Sequence, residues 1–236
     1  MKRFILALSG IAAMLVSCCG PKDGEYTFRL LTTNDVHGRY YDSLYVDGRT
    51  NNSLMNVSWY VDSLRKAEGK ENVILLDAGD CLQGDNAAYY FNYVDTASPH
   101  LYARMVDHIG YDAVIVGNHD IETGHPVYDR IDAQMKAPFL AANAIRTDDG
   151  KPYFQEYVTL KRHGLNITII GFTNPNIKNW LSPLLWEGME FQSLLPFAQE
   201  TVDRITAKEK SDVVIVATHS GTGKGDGSQL ESQGLD

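Results

Sequence analysis

Short apolar runs alternate with amphipathic stretches along the chain, and polar or glycine-bearing segments close several of the runs. Tyr26 to Thr33 reads as a β-strand that ends at Asn34. From Ser53 to Glu68, Leu54, Val57, Val61 and Leu64 recur at helical spacing, with Ser53 as N-cap and Gly69 as stop signal. Asn72 to Asp77 is a continuous apolar run, as expected of a strand covered on both faces. The plan then repeats. Leu101 to Ile109 predicts a helix closed by Gly110, and Ala113 to Val116 a buried strand. Pro126 to Met135 predicts a helix and Phe139 to Ala142 a short strand. Gln155 to Lys161 and Leu165 to Gly171 predict a hairpin turning at His163-Gly164. Phe191 to Lys210 reads as a long amphipathic helix and Asp212 to Ala217 as the last buried strand. Strands alternating with helices in this way predict an α/β layered fold in one domain.

Four polar segments stand where predicted strands end: Asn34-Asp35-Val36-His37-Gly38, Gly79-Asp80, Gly117-Asn118-His119-Asp120 and Thr218-His219. Sites in open α/β sheets are built at the carboxyl ends of strands. Carboxylate oxygen, amide oxygen and imidazole nitrogen are ligands that hard or borderline divalent cations accept. Hydrolysis of a phosphate ester needs a nucleophile near neutral pH, neutralised charge on the phosphoryl oxygens and a protonated group for the leaving oxygen. Two metal ions held about 3.5–4 Å apart meet the first two needs. Asp80 is the candidate bridging carboxylate. Asp35 and His37, two apart in what reads as an extended segment, can face one metal. Asn118 and His219 offer an amide oxygen and an imidazole to the second.

The order D-x-H, then G-D, then G-N-H-[DE], then a strand ending in Thr-His resembles the calcineurin-like metallophosphoesterase superfamily from Tyr26 onward. The Asn-Asp-x-His-Gly form and Gln83-Gly84 after Asp80 resemble its 5'-nucleotidase branch, which includes UDP-sugar hydrolases and cyclic phosphodiesterases. The resemblance implies an α/β sandwich of two mixed β-sheets flanked by helices. It also implies a hydrolase with two divalent ions (Mn, Zn, Fe or Mg) acting on 5'-nucleotides or related nucleotide and sugar phosphates. Asp35 and His37 would bind one ion, Asp80 would bridge, and Asn118 and His219 would bind the other. His119 would be no ligand but would face the phosphate and stabilise the transition state or leaving group, held by a carboxylate. Glu122 occupies the family's place for that carboxylate, and Asp120 is the competing partner. Two alternatives stay open: a 2',3'-cyclic-nucleotide phosphodiesterase, and a non-catalytic envelope lipoprotein that binds nucleotides or other phosphate esters. The family's closing Gly-His-x-His or Ser-His-x-His turn and its C-terminal nucleoside-binding domain are not found before Asp236. A partial metallophosphoesterase domain over 26–236 is therefore expected, with room for a separate chain that supplies substrate binding.

Lys2-Arg3, the apolar run Phe4 to Val16 and Ser17-Cys18 have the layout of a bacterial secretory signal. Leu15-Val16-Ser17-Cys18 resembles a lipobox. A lipoprotein signal over 1–17 and a lipid-anchored tether over 18–25 are expected, placing the protein on the periplasmic or surface face of the envelope. A signal cleaved elsewhere would give a soluble periplasmic protein. With 44% hydrophobic residues the 236-residue chain can build a sizeable core, and a formal net charge of −9 offers no footprint for a nucleic-acid polymer. Its partner is expected to be a small phosphate ester. Cys81, alone beside Asp80, reads as an inert buried thiol or as a soft ligand. His100, His108, His125 and His163 read as structural. The cluster Tyr89-Tyr90-Phe91-Asn92-Tyr93 reads either as a base-stacking surface or as core. The glycine-rich stretch Ser220 to Gly227 is no nucleotide loop, because Thr218 and Gly225 stand where Gly and Ser or Thr are required.

Overall fold

The computed structural model describes residues 23–42 and 52–221. The expected signal 1–17, the expected lipid site Cys18, Cys19 and the residues after Gly221 lie outside the described residues. In chain order the first half runs β1 (Arg29–Thr33), α1 (Leu54–Glu68), β2 (Val73–Asp77), α2 (Asn86–Tyr89), α3 (Leu101–Ile109), β3 (Ala113–Ile115), α4 (Asn118–Glu122), α5 (His125–Gln134) and β4 (Phe139–Leu140). The second half runs β5 (Ala144–Arg146), β6 (Tyr157–Arg162), β7 (Leu165–Thr173), α6 (Ile177–Trp180), β8 (Met189–Phe191), α7 (Leu194–Glu209) and β9 (Val213–His219).

Strands β1-β2-β3-β4 form a sheet in that order, and every pairing in it is parallel. Strands β6-β7-β9 form a second, mixed sheet, and β5 pairs antiparallel with β8. The fold is thus the expected α/β sandwich, although only one of the two main sheets is mixed. Period-two alternation explains how the sheets stack. In β2, Leu75 points into a core with Val61, Val106, Val127 and Ile131 from α1, α3 and α5, whereas Ile74 and Leu76 meet Ile167 and Ile169 of β7. In β7, Ile170 and Phe172 pack on Leu194 and Ile205 of α7. The layers are therefore helices, sheet, sheet, helix.

Local signals set several boundaries. The Ser53 backbone N–H donates to Asn56 Oδ1 at 3.0 Å at the start of α1. α3 ends on Gly110 in the left-handed region at φ 75°, and its last carbonyls accept from the Arg65 guanidinium of α1, with Nη2 2.7 Å from Gly110 O. His163 and Gly164, at φ 51° and 82°, supply the two left-handed positions of a tight hairpin turn.

One strand departs from expectation. β9 pairs only with β7 among the described residues, and Val213, Val214 and Val216 are 38%, 37% and 47% exposed. Its apolar run marks a β-former whose outer face none of the described elements covers.

Candidate metal centre

The ends of β1, β2 and β3 lie side by side, and β9 delivers its last residue to the same edge from the second sheet. Two loops meet here residue by residue. Asp35 N–H donates to Gly79 O at 3.0 Å, His37 N–H to Asp80 O at 2.9 Å and Gly38 N–H to Cys81 O at 3.1 Å. Asp35, His37 and Asp80 adopt left-handed backbone at φ 51°, 47° and 61°. The expected extended segment through Asp35 and His37 is therefore absent, and a tight left-handed turn presents them instead. Such backbone costs about 1–3 kcal/mol per non-glycine residue and clusters at functional sites. Glycine permits the closest approach: a Cβ on Gly117 would stand 2.1 Å from Asp80 Oδ1.

The loops bring Asp35, His37 and Asp80 together, with one ligand atom from each within 4.8 Å of the others. On its other side, Asp80 Oδ2 is 3.1 Å from His219 Nε2, which is also 3.1 Å from Asn118 Oδ1. His219 Nδ1 donates to Ala78 O at 2.7 Å, so Nε2 is the atom turned into the site. Asp80 alone belongs to both groups. Burial alone would lower the His219 value, but the hydrogen bond and charge of Asp80, helped by the Ala78 carbonyl, hold the imidazole up at about 9. Burial likewise opposes ionisation of Asp80, yet His219 and the His119 N–H hold its carboxyl below the usual range.

His119 Nδ1 contacts Glu122 Oε2, and the His119 ring lies 5.3 Å from that of His37 in an edge arrangement. Asp120 points the other way. It is buried and accepts backbone N–H bonds from Gly117, Asp80, Cys81 and Leu82 at 2.8–3.0 Å. Of the two candidate partners of His119, the structure brings Glu122 to the ring and sets Asp120 beneath the loop as its anchor. Cys81 is buried, free and hydrogen-bonded to Asp77 Oδ2 at 3.1 Å, with burial raising its thiol well above the ordinary value. That thiol is not poised to ligate. His100, His125 and His163 bond to groups outside the cluster, and Tyr89, Tyr90 and Tyr93 are exposed rather than core.

Two residues to which the sequence assigned no role at the site support it. Gln83 Oε1 lies 3.2 Å from His37 Nδ1, which leaves Nε2 for the site, as outer-shell partners of metal-binding imidazoles do. Asp77 ends the apolar run of β2, where its charge looks incidental. It is fully buried and accepts from Gly79 N–H at 2.8 Å, Thr33 Oγ1 at 2.9 Å and Cys81, tying both loops to one carboxylate.

Burial pushes the Asp77 carboxyl up to about 6, against the pull of those donors. An acid with a raised native value holds its proton more tightly when folded. Its contribution to stability therefore falls as pH rises from about 4 to 6, by about 3 kcal/mol in all. In urea unfolding of metal-free protein, the stability difference between wild type and Asp77→Asn should shift against wild type by about 2 kcal/mol from pH 4.5 to 6.5. A difference that stays flat across this range would show that Asp77 does not titrate there.

The cluster opens on two clefts beside the Asp35 loop. One, of about 470 Å³, runs from Asn118 and His219 into the gap between β1 and β9. The other, of about 680 Å³, is lined by His37, Arg39, Asn56 and Tyr60. Asp35, His37, Asn118 and His219 line these clefts, whereas His119 lines neither.

Residues 28–236 match the family described as calcineurin-like phosphoesterase. The chain is 31% identical over 202 residues to Protein UshA of Salmonella pullorum, and 29% identical over 202 residues to a 5'-nucleotidase of Vibrio cholerae. These matches cover 85% and 84% of the chain but only 35% and 34% of the relatives, so the chain spans about a third of their length. Among solved structures, the calcineurin-like phosphoesterase YfkN from Bacillus subtilis superposes with a TM-score of 0.74 at 24% identity, covering 87% of this chain and 65% of that one, a likeness of fold.

Proposed function

This chain belongs to the calcineurin-like phosphoesterase family, and from that premise we propose that it is a hydrolase of small phosphate esters, with 5'-nucleotides or related nucleotide and sugar phosphates as substrates. One observation carries the proposal: the Asp80 carboxylate is shared by an Asp35–His37 group and an Asn118–His219 group. The residues fit a pair of divalent ions. Asp35 and His37 would hold one, Asn118 and His219 the other, and Asp80 would serve both. Bound there, the ions would supply Lewis-acid activation of water and charge neutralisation on the phosphoryl group.

The chain's own groups do the rest. Glu122 fixes the His119 ring through Nδ1, which leaves Nε2 to give a proton to the departing oxygen. Gln83 holds the His37 ring, while Asp120 and Asp77 hold the loops. None of the three needs to touch substrate. A side-by-side assay of 5'-AMP and 2',3'-cyclic AMP, with and without EDTA, tests the reading. EDTA-sensitive release of phosphate from AMP is the expected result. Preference for the cyclic ester would make the enzyme a diesterase, and binding without turnover would make it a binding protein.

The His219–Asp80 pair adds a pH signature. Metal ligands bind as neutral imidazole, so an ion must displace the His219 proton. Apparent affinity for Mn²⁺ should rise about tenfold per pH unit from neutrality toward pH 9 and level off above it, because the metal-free imidazole is charged below about 9. Calorimetric titration at pH 6.5, 7.5, 8.5 and 9.5 measures this. Affinity independent of pH over that range would show that His219 holds no proton for the ion to displace.

A further inference from the structure

The tyrosines that follow the Asp80 loop are built to be exposed. Tyr89, Tyr90 and Tyr93 are 62%, 48% and 49% exposed, although aromatic side chains of this size ordinarily contribute to cores. They ride on α2 and on a turn of π-helix, Tyr90–Val94, a form frequent at functional sites.

That turn is held from beneath. Asn92, the one buried residue in it, donates from Nδ2 to Leu82 O at 2.6 Å and meets His100 Nε2 through Oδ1 at 3.0 Å. The Arg130 guanidinium donates to Phe91 O at 2.6 Å and to Thr96 O at 3.2 Å. The backbone is thus pinned while the rings face outward, the arrangement of a preorganised contact surface.

Its position relates it to the chemistry. Tyr93 OH donates to Thr123 O at 3.3 Å, the residue after Glu122, so the Tyr93 ring stands at the end of the single turn whose start carries His119. Tyr89 lies 5.3 Å from Tyr93, ring centre to ring centre, tilted by 59°. On the function proposed above, His119 addresses the leaving oxygen, so the leaving group departs on the His119 side. Tyr93 borders that side through Thr123 and Glu122, and neither cleft beside the Asp35 loop includes the pair.

We propose that Tyr89 and Tyr93 form a shelf on which a planar aromatic part of the leaving group stacks, making the site selective for nucleotides over phosphate esters that lack a base. The inference rests on the hydrolase reading and deepens it. Aromatic stacking is sequence-tolerant, since every base has a π-face, so the shelf discriminates base from no base rather than one base from another.

The test compares 5'-AMP with ribose 5-phosphate, which share the phosphate and the primary leaving oxygen and differ by the base. With the full chain in Mn²⁺, wild type should prefer AMP. Tyr89→Ala and Tyr93→Ala should each lower kcat/KM for AMP about tenfold, the size of one lost base–aromatic stack, and leave ribose 5-phosphate unchanged. Tyr89→Phe, which keeps the ring, should behave as wild type. An AMP to ribose 5-phosphate ratio unaltered in the alanine variants would overturn the shelf, whether or not both rates fall. If wild type hydrolyses neither ester, the hydrolase reading has failed, and calorimetric binding of the same two ligands to the same proteins decides the shelf alone. Tighter binding of AMP that is lost in the alanine variants supports it, and equal binding overturns it.

Discussion

Asp80→Ala is expected to strip both metal positions at once and to lower hydrolysis by about 10³-fold or more, since several kcal/mol of transition-state charge stabilisation would leave with the ions. The expectation follows from placement. Asp35 and His37 reach the site from one loop and Asn118 and His219 from two others, and only the Asp80 carboxylate borders both groups. Removing it leaves His219 without the charge that holds its proton, and leaves the His119 N–H without the acceptor it has at 2.8 Å. Because that second loss could disturb the loop, Asp80→Asn serves as the companion variant. It keeps an oxygen for the N–H and removes the charge. Metal analysis by mass spectrometry alongside AMP hydrolysis should show the same outcome for both variants. Two ions retained in Asp80→Asn would dismiss the shared role.

His119→Ala should separate metal binding from rate. On the assignment proposed here its ring is no ligand, so both ions should stay while kcat falls by about 10²–10⁴-fold, the range for a positioned general acid. The loss should depend on the leaving group. An alkoxide needs the proton and p-nitrophenolate scarcely does, so the variant should be far more impaired on AMP than on p-nitrophenyl phosphate. Glu122→Gln, which leaves the imidazole in place but removes its charged partner, should fall between the two enzymes. Loss of metal in His119→Ala, or equal impairment on both esters, would reassign the residue.

Much of the scaffold was legible because its signals are local. Ser53 and Gly69 bracket α1, Gly110 closes α3, and His163-Gly164 supply a turn that few other pairs could make. The site was legible for a different reason: ligand types are few, and their order at strand ends is demanding. What stayed hidden depends on neighbours far along the chain. The apolar run of β9 says nothing of which faces are covered, and its outer face is open. Asp77, at the end of an apolar strand, gives no hint that three donors converge on it. Asp120 sits beside His119 in sequence, yet one step around a helical turn sends its carboxylate beneath the loop while Glu122, a turn on, returns to the ring. The left-handed backbone at Asp35, His37 and Asp80 is the least expected feature, since nothing about these residue types requires it. It is the zipped pairing of the two loops that imposes it.

The number and place of the ions decide most directly between a shared and an unshared Asp80. Crystals of the full chain grown with Mn²⁺ and measured at the manganese absorption edge would settle both. Two anomalous peaks about 3.5–4 Å apart, with Asp80 between them, Asp35 and His37 on one side and Asn118 and His219 on the other, are the predicted result. A single peak, or peaks away from Asp80, would contradict it.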